Sequence, residues 1–207
     1  MGFKNPEILF QEAKNEIGGI SGAALFNDSK YQKLREKLHA AIFGLGYQEF
    51  IMPCEIRMEA EQDNSVDFYL LVDKKQYPFQ ETIKMAKGRE KIGREFKERE
   101  RNPRLFTPYR PAEGSVKCAE WIYEAVQKKT KYPDAHKLNL LVYAKFEAND
   151  YNRDEIVNVL NPFKDKFASI WVITNHAIAS IFTNNDLGEI NDFKIINEFW
   201  PPAFARE

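Results

Sequence analysis

The sequence predicts an α/β fold: a single-domain sandwich with a central mixed sheet flanked by helices. Three observations lead there. Apolar residues recur at helical spacing from Tyr31 to Leu45. Two strand-like runs, DFYLLV and QYPFQETI, are joined through Asp73, Lys74 and Lys75 as a hairpin. Two further runs, LNLLVYAKF and ASIWVIT, are so uniformly apolar that they read as buried central strands. Strands interleaved with helices place the helices on the faces of one sheet.

Taken in order, residues 6–16 predict a short helix, and GGISGAA breaks the chain after it. Residues 1–28 read as an N-terminal arm, 29–190 as the α/β core and 191–207 as a tail. Tyr31, Leu34, Leu38, Ile42 and Leu45 mark the next helix, with Gly44 and Gly46 as its C-terminal stops. YQEFIMPCEIRME contributes one strand before the hairpin, and Pro78 makes the second hairpin strand an edge strand, or one that enters its sheet only afterwards. Val116, Ala119, Ile122, Tyr123 and Val126 predict a helix that stops at KKTKYPD. A short helix around Arg153 to Leu160 precedes ASIWVIT, beside which IASIF pairs, and EFWPPAFARE is too Pro-rich for regular structure.

Composition excludes more than it selects. Hydrophobic residues at 43% and charged residues at 29% over 207 residues are those of an ordinary globular chain with a real core. A formal net charge of -1 leaves any attraction to nucleic acid or anionic lipid to local clusters. The N-terminus lacks an apolar signal region, and no run approaches the roughly 20 apolar residues needed to span a bilayer, so the expectation is a soluble, cytoplasmic protein with no membrane partner. Cys54 and Cys118 lack metal-ligand spacing and fit a reducing compartment. His39, His136 and His176 are widely separated and read as structural. The glycines around Gly18 and Gly22 lack phosphate-loop spacing, and no serine sits in a nucleophile elbow.

The hairpin carries the chemistry. Side chains alternate along a strand, so Gln80, Thr82 and Lys84 share one face and Phe79, Glu81 and Ile83 the other. Asp67 opens the preceding strand. An acid opening one strand of a hairpin and an acidic position on the next resembles the PD-(D/E)XK nuclease superfamily, whose fold is restriction-endonuclease-like. The resemblance runs from about Tyr31 to Phe182, and the chain would be a divergent or degenerate member. It implies Mg²⁺ held by Asp67 with Glu81 or Gln80, polarising phosphate and activating water while Lys84 stabilises developing charge. The motif departs from acid-x-Lys: Thr82 stands in the lysine position if Gln80 is the acid, and Ile83 if Glu81 is. The family often has an acid on its first helix, where Glu36 is the match. Helical spacing puts Glu36 nearly opposite Leu34 and Leu38, as a solvated residue. Lys128, Lys129 and Lys131 are candidates for a displaced lysine, and also simply cations favoured at a helix C-terminus.

From Lys84 to Arg104 nine Lys or Arg face four Glu, and Lys87, Arg89, Lys91, Arg94 and Lys97 are the candidate contacts to DNA or RNA phosphates. Glu90 with Arg94, and Glu95 with Arg99, have the spacing of helical ion pairs, so a solvated charged helix fits the same stretch. The sequence therefore supports two readings. One is a nucleic-acid-associated protein with an altered metal-dependent phosphodiesterase site. The other is a non-catalytic accessory protein, from a mobile element or defence locus, that binds a protein partner or its own copy.

Overall fold

A computed structural model describes residues 2–21, 24–25, 28–60, 65–85, 116–145, 151–174 and 176–196. The expected phosphate contacts Lys87, Arg89, Lys91, Arg94 and Lys97, the charged stretch around them and the Pro-rich tail lie outside these residues.

Helix α1 (Pro6–Ile17) starts where Asn5 accepts the Glu7 amide hydrogen at 2.8 Å, with Pro6 in a position that needs no donor. A single 3-10 turn, Ser29–Tyr31, leads into α2 (Gln32–Phe50). This helix runs through Gly44 and Gly46, where a stop was expected. Both glycines serve close packing instead. A Cβ at Gly44 would lie 2.5 Å from Ile56 Cδ1 and 2.8 Å from Pro6 Cγ, and one at Gly46 would lie 2.9 Å from both Ile178 Cγ2 and Ile196 Cδ1.

Strands β1 (Glu55–Met58), β2 (Phe68–Val72) and β3 (Lys75–Met85) form an antiparallel meander. The β2–β3 turn holds Asp73 at φ 47° and Lys74 at φ 66°, the left-handed pair of a two-residue hairpin whose twist suits its strands. Helix α3 (Val116–Lys129) crosses to β4 (Asn139–Lys145), and α4 (Arg153–Leu160) to β5 (Ser169–Ile173). Both β3–β4 and β4–β5 are parallel pairs. β6 (Ala177–Thr183) and β7 (Lys194–Ile195) return antiparallel, giving one mixed sheet of seven strands in the order β1 to β7. β3 is therefore interior. Its parallel pairing begins at Phe79, one residue after Pro78, whose ring nitrogen could not have joined that ladder.

Each face of the sheet has its own core. Helices α1 and α2 cover one, where Phe43 meets the rings of Phe68, Phe79 and Trp171 at centroid separations of 6.2, 4.9 and 5.4 Å. Helices α3 and α4 cover the other, burying Ile122, Val126, Ile156 and Leu160 against Leu140, Val142, Ile170 and Val172. At the start of the parallel strands, Asn139 donates to the Pro78 carbonyl at 2.9 Å. Its Oδ1 accepts from Ser169 at 2.6 Å and Asn185 at 2.8 Å, which satisfies a buried amide. No described helix is long and apolar enough to cross a membrane.

Candidate functional site

The site follows from a change of partner along β3. β2 pairs with β3 from Val72↔Lys75 to Phe68↔Phe79, whereas β3 pairs with β4 from Phe79↔Asn139 onward. The sheet forks at Phe79. Asp67 stands just before β2 on one side of the fork and Glu81 just past it on the other. Asp67 Oδ2 accepts the Glu81 amide hydrogen at 2.7 Å.

Pleating sends Glu81 toward α2, on the face of Phe79 and Ile83. There it meets His39, whose Nδ1 contacts Glu81 Oε1; the side chains are 0% and 2% exposed. With Glu81 ionised, Nδ1 carries the hydrogen and donates it. The imidazole stacks on Tyr143 of β4, centroids 3.8 Å apart and planes 23° from parallel. Glu81 Oε2 and His39 Nε2 are buried without a hydrogen-bond partner. One turn earlier on α2, Glu36 is buried too, where spacing suggested solvent. Its Oε1 accepts from Gln32 at 2.8 Å, and its Oε2 lies 3.1 Å from Lys33 Nζ as an ion pair that is off the line for a hydrogen bond.

Burial pushes the Asp67 carboxyl up to about 6 against the hydrogen bond from the Glu81 amide. The charges of Glu36 and Glu81 push the same way as burial, and Lys129 opposes them. The Tyr143 hydroxyl is likewise raised, by burial and by the Glu81 charge. Such crowding of carboxyl groups in a partly dry site is what a bound cation would relieve.

Of the residues read from the sequence, Asp67 and Glu81 come together. Gln80 and Lys84 do not join them. They pair in register with Leu140 and Ala144, whose side chains belong to the core under α3 and α4, so they face the opposite side of the sheet from Glu81. Gln80 Oε1 is buried without a partner, and Lys84 Nζ pairs with Glu124 Oε2 of α3 at 2.7 Å. His39, which the sequence reads as structural, is the residue that meets Glu81. Its separation from Glu36 by three residues, one face of a helix, was the available signal.

A Mg²⁺ ion needs only one or two protein carboxylates when water and substrate phosphate fill its shell. The fork offers two carboxyl groups for such a shell: Asp67, which touches the Glu81 backbone amide, and Glu81, whose enclosed Oε2 has no hydrogen-bond partner. No group of three or more His, Cys, Asp or Glu side chains among the described residues is arranged to hold a metal by protein ligands alone. Cys54 and Cys118 offer nothing in addition: burial pushes both thiols up to about 12, which removes the thiolate at neutral pH. Comparison with protein-family models, with curated proteins and with solved structures gave no match.

Proposed function

We propose that the chain is a nucleic-acid-associated protein of restriction-endonuclease-like fold, carrying an altered metal-dependent phosphodiesterase site at the Asp67–Glu81 fork. The observation that supports this most is the 2.7 Å contact of Asp67 with the Glu81 amide where β3 exchanges β2 for β4. The resemblance to PD-(D/E)XK nucleases rests on an initial helix, the hairpin with its acids, a crossover helix and later buried strands, and elements of each kind follow one another in this order in the fold.

In this reading Asp67 and Glu81 would hold Mg²⁺. When bound, Mg²⁺ supplies the charge that polarises a phosphodiester and lowers the pKa of water. Glu81 is kept in place by His39, and Asp67 by the Glu81 amide. The alteration lies in the lysine. Ile83 stands where acid-x-Lys would place it, and Lys84 is paired on the far face. The basic stretch after Lys84, with Lys87, Arg89, Lys91, Arg94 and Lys97, follows Glu81 closely in sequence and supplies the charge for phosphate contacts.

Labelled single- and double-stranded DNA and RNA, incubated with Mg²⁺ or Mn²⁺, test the reading against Asp67→Ala. Slow, metal-dependent cleavage that Asp67→Ala reduces by about 10–100-fold or more is the expected result. Cleavage unaffected by the substitution removes Asp67 from the chemistry. Neither cleavage nor salt-sensitive binding would favour a protein-interaction role instead.

A further inference from the structure

We infer that His39 is the positioning residue of the fork, holding Glu81 through Nδ1 so that the second carboxylate oxygen is presented to a divalent cation; this rests on the reading above. A carboxylate at the end of a Glu side chain has three torsions, and Glu81 lies on β3 beyond the β2 pairing that orders the rest of the hairpin. One contact removes that freedom. His39 Nδ1 takes Oε1, which leaves Oε2 buried and unpartnered. The imidazole is itself fixed from two directions: by the backbone of α2 and by the Tyr143 ring, 3.8 Å away and nearly parallel. A histidine present only to fill the core would not need its nitrogen aimed at the one buried acid of β3.

The arrangement is a supporting hydrogen bond behind a cation ligand, with the usual roles exchanged: here the imidazole orients the carboxylate. The contacting nitrogen makes a sharp test possible. An Asn side chain places its amide near the position of Nδ1, whereas Gln reaches toward that of Nε2. If only volume mattered, Gln, which is closer in size to His, would be the better replacement. If positioning through Nδ1 matters, Asn is.

Mn²⁺ binding to the full chain, followed by titration calorimetry alongside circular dichroism, compares the parent with Asp67→Asn, His39→Asn and His39→Gln. The expected result is binding by the parent, loss with Asp67→Asn, His39→Asn within about threefold of the parent, and His39→Gln weaker by about tenfold or more. Equal affinities for His39→Gln and the parent would overturn the positioning role while leaving the cation site standing. His39→Asn no tighter than His39→Gln would do the same. A parent that binds no Mn²⁺ overturns the cation site and the positioning role together, an outcome distinct from both. Should a His39 variant not fold, Tyr143→Leu removes the plane behind the imidazole and carries the same expectation of weakened binding; unchanged affinity there counts against the inference.

Discussion

Glu81 and Lys84 lie three residues apart on β3 and face opposite sides of the sheet, Glu81 toward His39 on α2 and Lys84 toward Glu124 on α3. Their separation is a consequence of pleating: an odd spacing along a strand cannot place two side chains on one face. The acid and the cation that a one-site reading would combine therefore belong to different cores, and they should respond differently to substitution.

Lys84→Ala is expected to act on stability and not on the fork. The Lys84 side chain is 13% exposed and its Glu124 partner 36%, so the pair is partly screened, and losing it should cost about 1–2 kcal/mol. Mn²⁺ affinity should stay within about twofold of the parent. Urea denaturation and calorimetry measure the two separately. A loss of affinity comparable to that of Asp67→Asn would place Lys84 in the site after all.

Asp67 should make stability depend on pH in a defined direction. Its folded pKa of about 6 lies above the ordinary carboxylate value, so the native state binds this proton more tightly than the unfolded chain. The stabilisation is complete below about pH 4, where both states are protonated, and is lost as pH rises through about 6. Asp67→Asn keeps an acceptor for the Glu81 amide but cannot ionise. Its stability relative to the parent should rise between about pH 4 and pH 7 by about 1–3 kcal/mol, and then level off. Denaturation midpoints across that range check it; a difference that is constant with pH would rule out the raised carboxyl.

The hairpin was legible because its signals are local: alternation along each run and a polar turn between them mark both strands. Its register was not, because that depends on the turn being two residues, Asp73 and Lys74, with Lys75 already paired to Val72. The buried strands β4 and β5 were legible from their unbroken apolar runs. Glu36 was misread because helical spacing assumes a helix with one buried face, whereas α2 is enclosed by α1 and the sheet. Every residue from Leu38 to Tyr47 is buried, and Leu34, taken as a core marker, is only partly so. His39 reads as merely structural from the sequence because its partner is 42 residues away, on a strand whose depth in the sheet only the parallel pairing with β4 creates. Gly44 and Gly46 suggested a helix end for the same reason: the neighbours that require them, Pro6, Ile56, Ile178 and Ile196, belong to α1, β1, β6 and the segment just after β7.

Gly44→Ala provides a direct check of that packing. In an isolated helix the change would gain about 1 kcal/mol. Here the added methyl would sit 2.5 Å from Ile56 Cδ1 and 2.8 Å from Pro6 Cγ, so α1 and β1 must shift. A net loss of about 1–3 kcal/mol is expected, read as a lower thermal midpoint. A stabilised variant would mean that α1 moves aside easily.

Ile83→Lys tests the alteration of the site itself. Ile83 shares its face with Glu81 and packs against the α2 core while only partly buried, so a lysine there can lay its stem along the apolar surface and extend its ammonium outward. The substitution puts a lysine two residues after Glu81, the acid-x-Lys order that the chain lacks. One preorganised stabiliser of transition-state charge is worth roughly 10²–10³ in rate, and part of that should appear as Mg²⁺-dependent nicking of supercoiled plasmid at least about tenfold above the parent. The double variant with Asp67→Ala should fall back to background, which excludes a contaminating nuclease. Loss of apolar contact should lower stability by about 1–2 kcal/mol. A folded Ile83→Lys protein that binds Mn²⁺ as the parent does and nicks no faster would show that the fork, even with its lysine supplied, is built to bind and not to cut.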